Sequence, residues 1–444
     1  MGNDMPIVDF LMRYSGSGTL RCHMPGHKGI CPQGLELPAF EYDITEISGA
    51  DSLFEADGII ARSEKNMAEL YGTAGTVYSA AGSTLCIQTM LALMKQENRY
   101  ITAVRNVHSA FLNAAALLDM DVEWLIPDYC SGLLSGRIRL EAVENSLSKY
   151  PGKGCLYVTS PDYTGRSADI PALSAICKKH GARLIVDNAH GAHLAFFSDS
   201  RHPIALGADM CCDSAHKMLP ALTGAAMLHT SDPELGLRMK QTMRLFASTS
   251  PSYLVMASLD MCNKYISERI REDIGLNLSE LERLRRRFSD RLSFADGEPF
   301  HVTIEAARSG LNGNELAERL RENGVECEYS DSGLVILLMS PMCRSEHYLR
   351  LTAALDGALA ELTAHEAQPQ EFFLPEPQRR MSIREAVFAP SEVIPVENSA
   401  GRICASVKVP CPPAVPIAVS GEIITPVHVN IFKRYGISSV NVVK

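Results

Sequence analysis

Between residues 60 and 270 the chain alternates short unbroken apolar runs with longer segments whose apolar positions recur every three to four residues. CLYVTS (155–160), RLIVDNA (183–189) and ADMCCDSA (208–215) show no polar alternation, the pattern of strands covered on both faces in parallel sheets. YITAVRN (100–106) predicts a further strand. GSTLCIQTMLALMKQ (82–96), IPALSAICKKHG (170–181) and SPSYLVMASLDMCNKYISERI (250–270) predict helices. Strand–helix alternation of this kind implies an α/β domain, a mostly parallel central sheet with helices on both faces.

The flanks differ. Residues 1–30 predict a short helix and then an irregular arm, because Pro25-Gly26 breaks any helix. Beyond 275, LSELERLRRRFSDRL (278–292), FHVTIEA (300–306), GNELAERLRENG (313–324), GLVILLMS (333–340) and SEHYLRLTAALDGALAELT (345–363) predict a smaller α+β domain. After 365 proline becomes frequent while apolar residues persist, which predicts a compact C-terminal segment. The expected organisation is an arm (1–30), a large domain (31–275), a small domain (276–365) and a C-terminal segment (366–444).

A length of 444 residues fits this plan of two or three domains, at roughly 150 residues each. The net charge of −10 argues against nucleic acid and acidic membranes as partners and mildly favours a cationic small molecule. No apolar run approaches the roughly 20 residues of a membrane span. The N-terminal MGNDMPIVDFLMRYSGSG lacks the basic and apolar regions of a secretory signal. Thirteen scattered cysteines without a CxxC pair suit reduced thiols and a cytoplasmic protein. Cys211 and Cys212 are expected to be strand residues rather than metal ligands, and no metal is expected elsewhere: the HGAH and HMPGH spacings lack the helix and carboxylate of a zinc motif.

The chemistry centres on CDSAHKMLPALTGAAMLH (212–229), which sets Lys217 before an apolar segment. Asp187 ends an apolar strand, where open α/β sheets place their ligands. Its carboxylate suits a metal ligand, a base, or a partner for a protonated ring nitrogen. Together with a lysine after the next strand it suits pyridoxal phosphate, with the amine as Schiff-base nitrogen and the carboxylate facing the pyridinium. Gly82-Ser83-Thr84 opens a helix, and a helix N-terminus can cradle a phosphate. His108, after a strand, has the shape to stack on a flat cofactor.

These motifs jointly resemble the Orn/Lys/Arg decarboxylase family in its short form, without an N-terminal wing domain. HMPGHKG, DITEISGADSLFEADGII, AGST, RNVHSAF, TSPDYTG, VDNAHGAH, DSAHK, STSPSY and CPPAVPIAVSGEII follow one another in the family's order. The resemblance implies the type I aspartate-aminotransferase fold, pyridoxal 5'-phosphate as cofactor, and decarboxylation of arginine, lysine or ornithine in polyamine metabolism. It implies that Lys217 carries the Schiff base and Asp187 pairs with the ring nitrogen. His108 and Ala189 would pack on opposite ring faces, His108 or Lys217 would return the proton, and Ser83, Thr84, Ser214 and His216 would hold the phosphate. It further implies a homodimer with shared sites, so Thr249 or Ser250 could serve a partner's cofactor and His23 and His27 could close over a site. His190 joins the substrate-side candidates; for the substrate's distal cation the candidates are Asp51, Glu422 and, more weakly, Glu397. The sequence departs from the pattern at Ala81, Asn188, Ser109, Ser52, Cys411 and Ala414, positions that flank the cofactor residues. Two rival readings are another type I enzyme, an aminotransferase using Arg344 or Arg402 or a carbon–sulfur lyase, and a silent paralogue with a binding role.

Overall fold

The computed structural model describes residues 4–31, 38–130, 132–363, 365–366, 372–406 and 415–444. In chain order the first elements are α1 (Pro6–Ser15), α2 (Ile59–Tyr71), β1 (Gly75–Ser79), α3 (Gly82–Gln96), β2 (Tyr100–Val104), α4 (Ser109–Leu118) and β3 (Val122–Leu125). Next come β4 (Asp128–Tyr129), β5 (Gly136–Arg137), α5 (Leu140–Leu147), β6 (Gly154–Thr159), α6 (Ile170–Lys179), β7 (Arg183–Asp187), β8 (Met210–Asp213), α7 (Ala215–Met218) and β9 (Ala226–Thr230). The helices α8 (Pro233–Met243), α9 (Tyr253–Glu268) and α10 (Ile270–Phe288) follow, then β10 (His301–Ile304), α11 (Gly313–Glu322), β11 (Tyr329–Ser330), β12 (Val335–Leu338) and α12 (Ser345–Glu361). The chain closes with α13 (Ile383–Phe388), β13 (Ser391–Pro395), β14 (Cys404–Ser406), α14 (Pro426–Arg434) and β15 (Ser439–Val443).

Two compact units share the chain, and each is built from two separated stretches. Unit 1 comprises 1–96 and 185–274; unit 2 comprises 97–184 and 275–444. In unit 1 the strand order is β1-β9-β8-β7. β7 and β8 run parallel, whereas β9 is antiparallel to both β8 and β1. The sequence reading missed β1 and β9. Thr76, Tyr78, His229 and Thr230 interrupt their apolar pattern, yet all four are buried and have side-chain partners inside the fold, His229 through Nδ1. Helix α3 spans the residues its pattern predicts, and nine of its side chains are buried. At about 1.5–3 kcal/mol per large apolar side chain, packing holds it in place and leaves its N-terminus available for other partners. α9 starts at Ser252, whose hydroxyl accepts from Val255 N, and packs on α1 and α2.

In unit 2, β6, β2 and β3 lie side by side, with both β2–β6 and β2–β3 parallel. The antiparallel sheet β10-β12-β11 carries α11 and α12, as the pattern after 275 predicts. The proline-rich end holds a third antiparallel sheet, β13-β15-β14, with α14 beside it. Leu133, Val396, Ile417, Ile424, Phe432 and Val442 are among the residues of its core. No helix among the described residues is long and apolar enough to cross a membrane.

Candidate active site

Unit 1 brings Asp187, Lys217 and the start of α3 into one connected region. β7 delivers Asp187 at its last position, with only 2% of its surface exposed. The register sets Asp187 beside Cys212. Burial raises the Cys212 thiol well above its usual range and the Asp187 charge adds to this, so the thiol keeps its proton and donates to Asp187 Oδ1 at 3.5 Å. The amide of Ala189 donates to the same oxygen at 3.2 Å. The turn after β7 is fixed by Asn188, whose N–H donates to Cys212 O at 3.0 Å and whose Nδ2 donates to Asp213 Oδ1 at 2.7 Å.

β8 ends at Asp213, Ser214 is the buried N-cap of α7, and Lys217 lies on that single helical turn. Its amine Nζ stands 2.9 Å from His190 Nε2. His190 is buried three residues beyond Asp187, so the same turn carries both the carboxylate and the imidazole that meets the amine. Sequence reasoning placed His190 on the substrate side; its described contact is with the lysine.

A short strap ties Lys217's helix to α3. Gly82 N donates to Gly224 O at 2.7 Å, while Ala225 O accepts from His216 N at 3.3 Å and pairs with His216 Nδ1 at 2.9 Å. Burial holds the His216 imidazole below its usual value, and the neighbouring Lys217 acts in the same direction. Gly82 has φ +70°, and a Cβ added there would meet nothing within 4 Å. That open space lies at the amino end of a helix whose first-turn N–H groups lack intrahelical acceptors. Ser83 is half-buried and Thr84 exposed at this end. An amine, a buried carboxylate and an anion-seeking helix end, tied together by the 224–225 strap, fit the charged groups of pyridoxal phosphate.

Other candidates sit on other elements of the chain. His108 belongs to unit 2, where it caps α4 and its Nδ1 accepts from Ala110 N at 3.1 Å. Thr249 and Ser250 are exposed between α8 and α9. His23 Nε2 meets Tyr14 OH at 2.5 Å, and His27 Nε2 meets Asp43 Oδ2 at 3.2 Å, so both have partners within their own segment.

Two of the distal-acid candidates have partners of their own. Asp51 accepts from the amides of Ser52, Asp57, Gly58, Ile60 and Ala61 and fastens the start of α2, and these bonds hold its carboxyl below its usual range against the opposing effect of burial. Glu422 is buried with Arg105, Oε2 to Nη2 at 2.7 Å, and also accepts from Val419 N. Glu397 is exposed. Cys411 and Ala414 lie outside the described residues.

The family model for the major domain of Orn/Lys/Arg decarboxylases matches residues 5–306, and the model for their C-terminal domain matches 364–435. The chain belongs to the Orn/Lys/Arg decarboxylase family. It is a decarboxylase of a basic amino acid and uses pyridoxal phosphate. An arginine decarboxylase of Halalkalibacterium halodurans is 28% identical, over 95% of this chain and 91% of the relative. An arginine decarboxylase of Bacillus subtilis is also 28% identical, over 97% and 94%. Among solved structures, a lysine decarboxylase of Francisella novicida covers 100% of this chain and 82% of its own, with a TM-score of 0.81 at 15% identity. A serine palmitoyltransferase of Sphingomonas wittichii covers 70% of this chain and 79% of its own, with a TM-score of 0.55 at 15% identity. At such identities the likeness is one of fold, and that fold is the type I fold of pyridoxal-phosphate enzymes.

Proposed function

We propose that this decarboxylase acts on arginine, with Lys217 and Asp187 as its catalytic residues, and that it supplies an amine to polyamine metabolism. The observation that carries the reading is the Lys217 amine, held at 2.9 Å from His190 on the turn that follows Asp187. The arginine preference is supported by the names of the two bacterial relatives that align over nearly the whole chain.

Bound pyridoxal phosphate supplies an electron sink for the bond that breaks at the substrate's Cα. The residues prepare that step. Asp187, fixed by Cys212 and Ala189, presents a carboxylate able to keep a ring nitrogen protonated. Lys217 would be the attachment point, and its amine, once freed, would return a proton at Cα. His190 sets the direction of that amine and gives its proton a neighbour. Ser83, Thr84, Ser214 and His216 would hold the phosphate, and Ala189 and His108 would take the ring-facing roles the resemblance implies. The proposal includes a cytoplasmic homodimer in which Thr249 and the arm bearing His23 and His27 serve a partner's site. The four consecutive domains read from the sequence remain part of it.

The test is incubation with arginine, lysine and ornithine in turn and identification of the product. Release of CO₂ with agmatine from arginine is expected. A keto acid would transfer the chain to the aminotransferases, although Arg402 is already paired with Glu392 at 2.8 Å. Loss of the yellow colour on borohydride treatment, with the label on Lys217, is expected for the attachment; label on another lysine would overturn it.

A further inference from the structure

Below the cofactor region, unit 1 contains a second group of chemically capable side chains that the decarboxylation does not use. The β8–β9 register sets Cys211 directly opposite His229, and the β1–β9 register sets Thr76 opposite His229. Asp213, two residues beyond Cys211, shares its face of the sheet, while Cys212, beside Asp187, points to the other. The segment before β8 adds His202. His202, Cys211, Asp213 and His229 are all fully buried, at 0% exposure.

The geometry points to a structural zinc site formed by His202, Cys211 and Asp213, with His229 as the fourth ligand. One donor atom from each of the first three lies within 4.8 Å of the others. His202 Nε2 is 3.1 Å from Asp213 Oδ2 and 3.6 Å from Cys211 Sγ, and that sulfur is 4.0 Å from Asp213 Oδ1. His229 Nε2 stands 3.5 Å from Asp213 Oδ2. Zinc bonds of about 2.0–2.3 Å in a tetrahedron separate neighbouring ligand atoms by about 3.3–3.8 Å, so the donors need shifts of only a few tenths of an ångström at these pairs; His229 stands outside the set of donors that all lie within 4.8 Å of one another, and its ring must move further to complete the shell.

His229 gives an independent sign. Its Nδ1 is bound to Thr76 Oγ1 at 2.8 Å, which fixes the ring and turns Nε2 toward the carboxylate. That nitrogen is buried without a well-formed hydrogen bond. Such a group is costly to leave unsatisfied, and a cation between it and Asp213 would satisfy it. The surroundings resemble the outer ring of a metal site. Asn188 donates to Asp213 Oδ1 at 2.7 Å, and the Tyr71 ring stacks on His229 at 4.5 Å and meets His202 at 5.2 Å.

The charges also balance. Zinc binding releases the thiol proton of Cys211 to solvent, and the resulting thiolate and the carboxylate neutralise the dication beside two neutral imidazoles. Nitrogen and sulfur donors favour zinc over magnesium or calcium. The ion would pin β8 to β9 and hold the strand that leads into Lys217's helix.

Because the site is enclosed, it should load as the chain folds. The holoenzyme is therefore expressed in zinc-supplemented medium, gel-filtered and assayed by elemental mass spectrometry. One zinc per chain is expected, falling to background in Cys211→Ser and in His229→Gln. The cobalt-loaded wild-type protein should show a sulfur-to-cobalt charge-transfer band that Cys211→Ser lacks. Wild-type protein without stoichiometric metal overturns the proposal, as does unchanged metal content in both variants. If the variants do not fold, X-ray absorption at the zinc edge of the wild-type protein decides: one sulfur among nitrogen and oxygen ligands supports the site, and a shell without sulfur, or with several, overturns it. None of these outcomes depends on which amino acid the enzyme decarboxylates.

Discussion

At the smallest scale the two proposed catalytic residues are held locally, Asp187 by two donors and Lys217 beside an imidazole. Lys217→Ala is expected to abolish turnover, and Asp187→Ala to lower kcat by at least about a hundredfold, measured as CO₂ release. Near-normal turnover in Asp187→Ala would remove the electron-sink role. Asn188 stands where the family pattern has an acid, and the structure supplies a reason: its amide donates to Asp213. Asn188→Asp places two buried carboxylates face to face and should cost about 2 kcal/mol or more, read from urea unfolding at neutral pH. Asp187 and Lys217 were legible because strand ends are marked by where an apolar run stops. The His190 contact was not, since it depends on how a turn aims a side chain. The Glu422 pairing was not legible either, because its partner, Arg105, is 317 residues away in sequence.

Elements with a strong helical period, α3 and α6 above all, matched their sequence pattern closely; β1 and β9 did not show in it, because buried polar residues break their apolar runs. The N-terminus of α1 depends on a group that pattern cannot reveal. Asp260 of α9 accepts from Ile7 N at 2.9 Å and Val8 N at 3.1 Å, and also from Ser63. Burial lifts its carboxyl from 3.8 to about 6, outweighing these hydrogen bonds. The folded chain therefore holds this proton more tightly than the unfolded chain does. The resulting stabilisation is full below about pH 4 and is lost as pH rises through about 6; over that interval it amounts to at most about 3 kcal/mol. Asp260→Asn should flatten this part of the stability profile, seen as a smaller difference between urea midpoints at pH 4.5 and 7 than in the wild type. An unchanged profile would assign the titration to another group.

On the scale of the molecule, unit 2 is held in part by the Arg105–Glu422 pair, with 2% and 3% of the side chains exposed. Removing one partner leaves a buried charge, so Glu422→Gln should destabilise by about 3–5 kcal/mol. Arg105→Met combined with Glu422→Gln should lose less than the sum of the single changes, as measured by denaturant titration. Additive losses would show that the two charges act independently. The α/β class and the later α+β pattern were legible at this scale, because periodicity reports burial. The interleaving of the units was not, because no local signal says which distant stretch a strand will join.

That interleaving has a consequence for synthesis. Gly75–Ser79 must find Ala226–Thr230, and nothing earlier in the chain replaces that partner. A ribosome that has made the first hundred residues has therefore made a single strand of that sheet, β1, with its neighbour still unmade. The lysine-bearing unit can close only when the ribosome is well past the midpoint. During that interval the nascent chain is a substrate for holding chaperones, and truncated products ending before residue 226 should appear in the insoluble fraction.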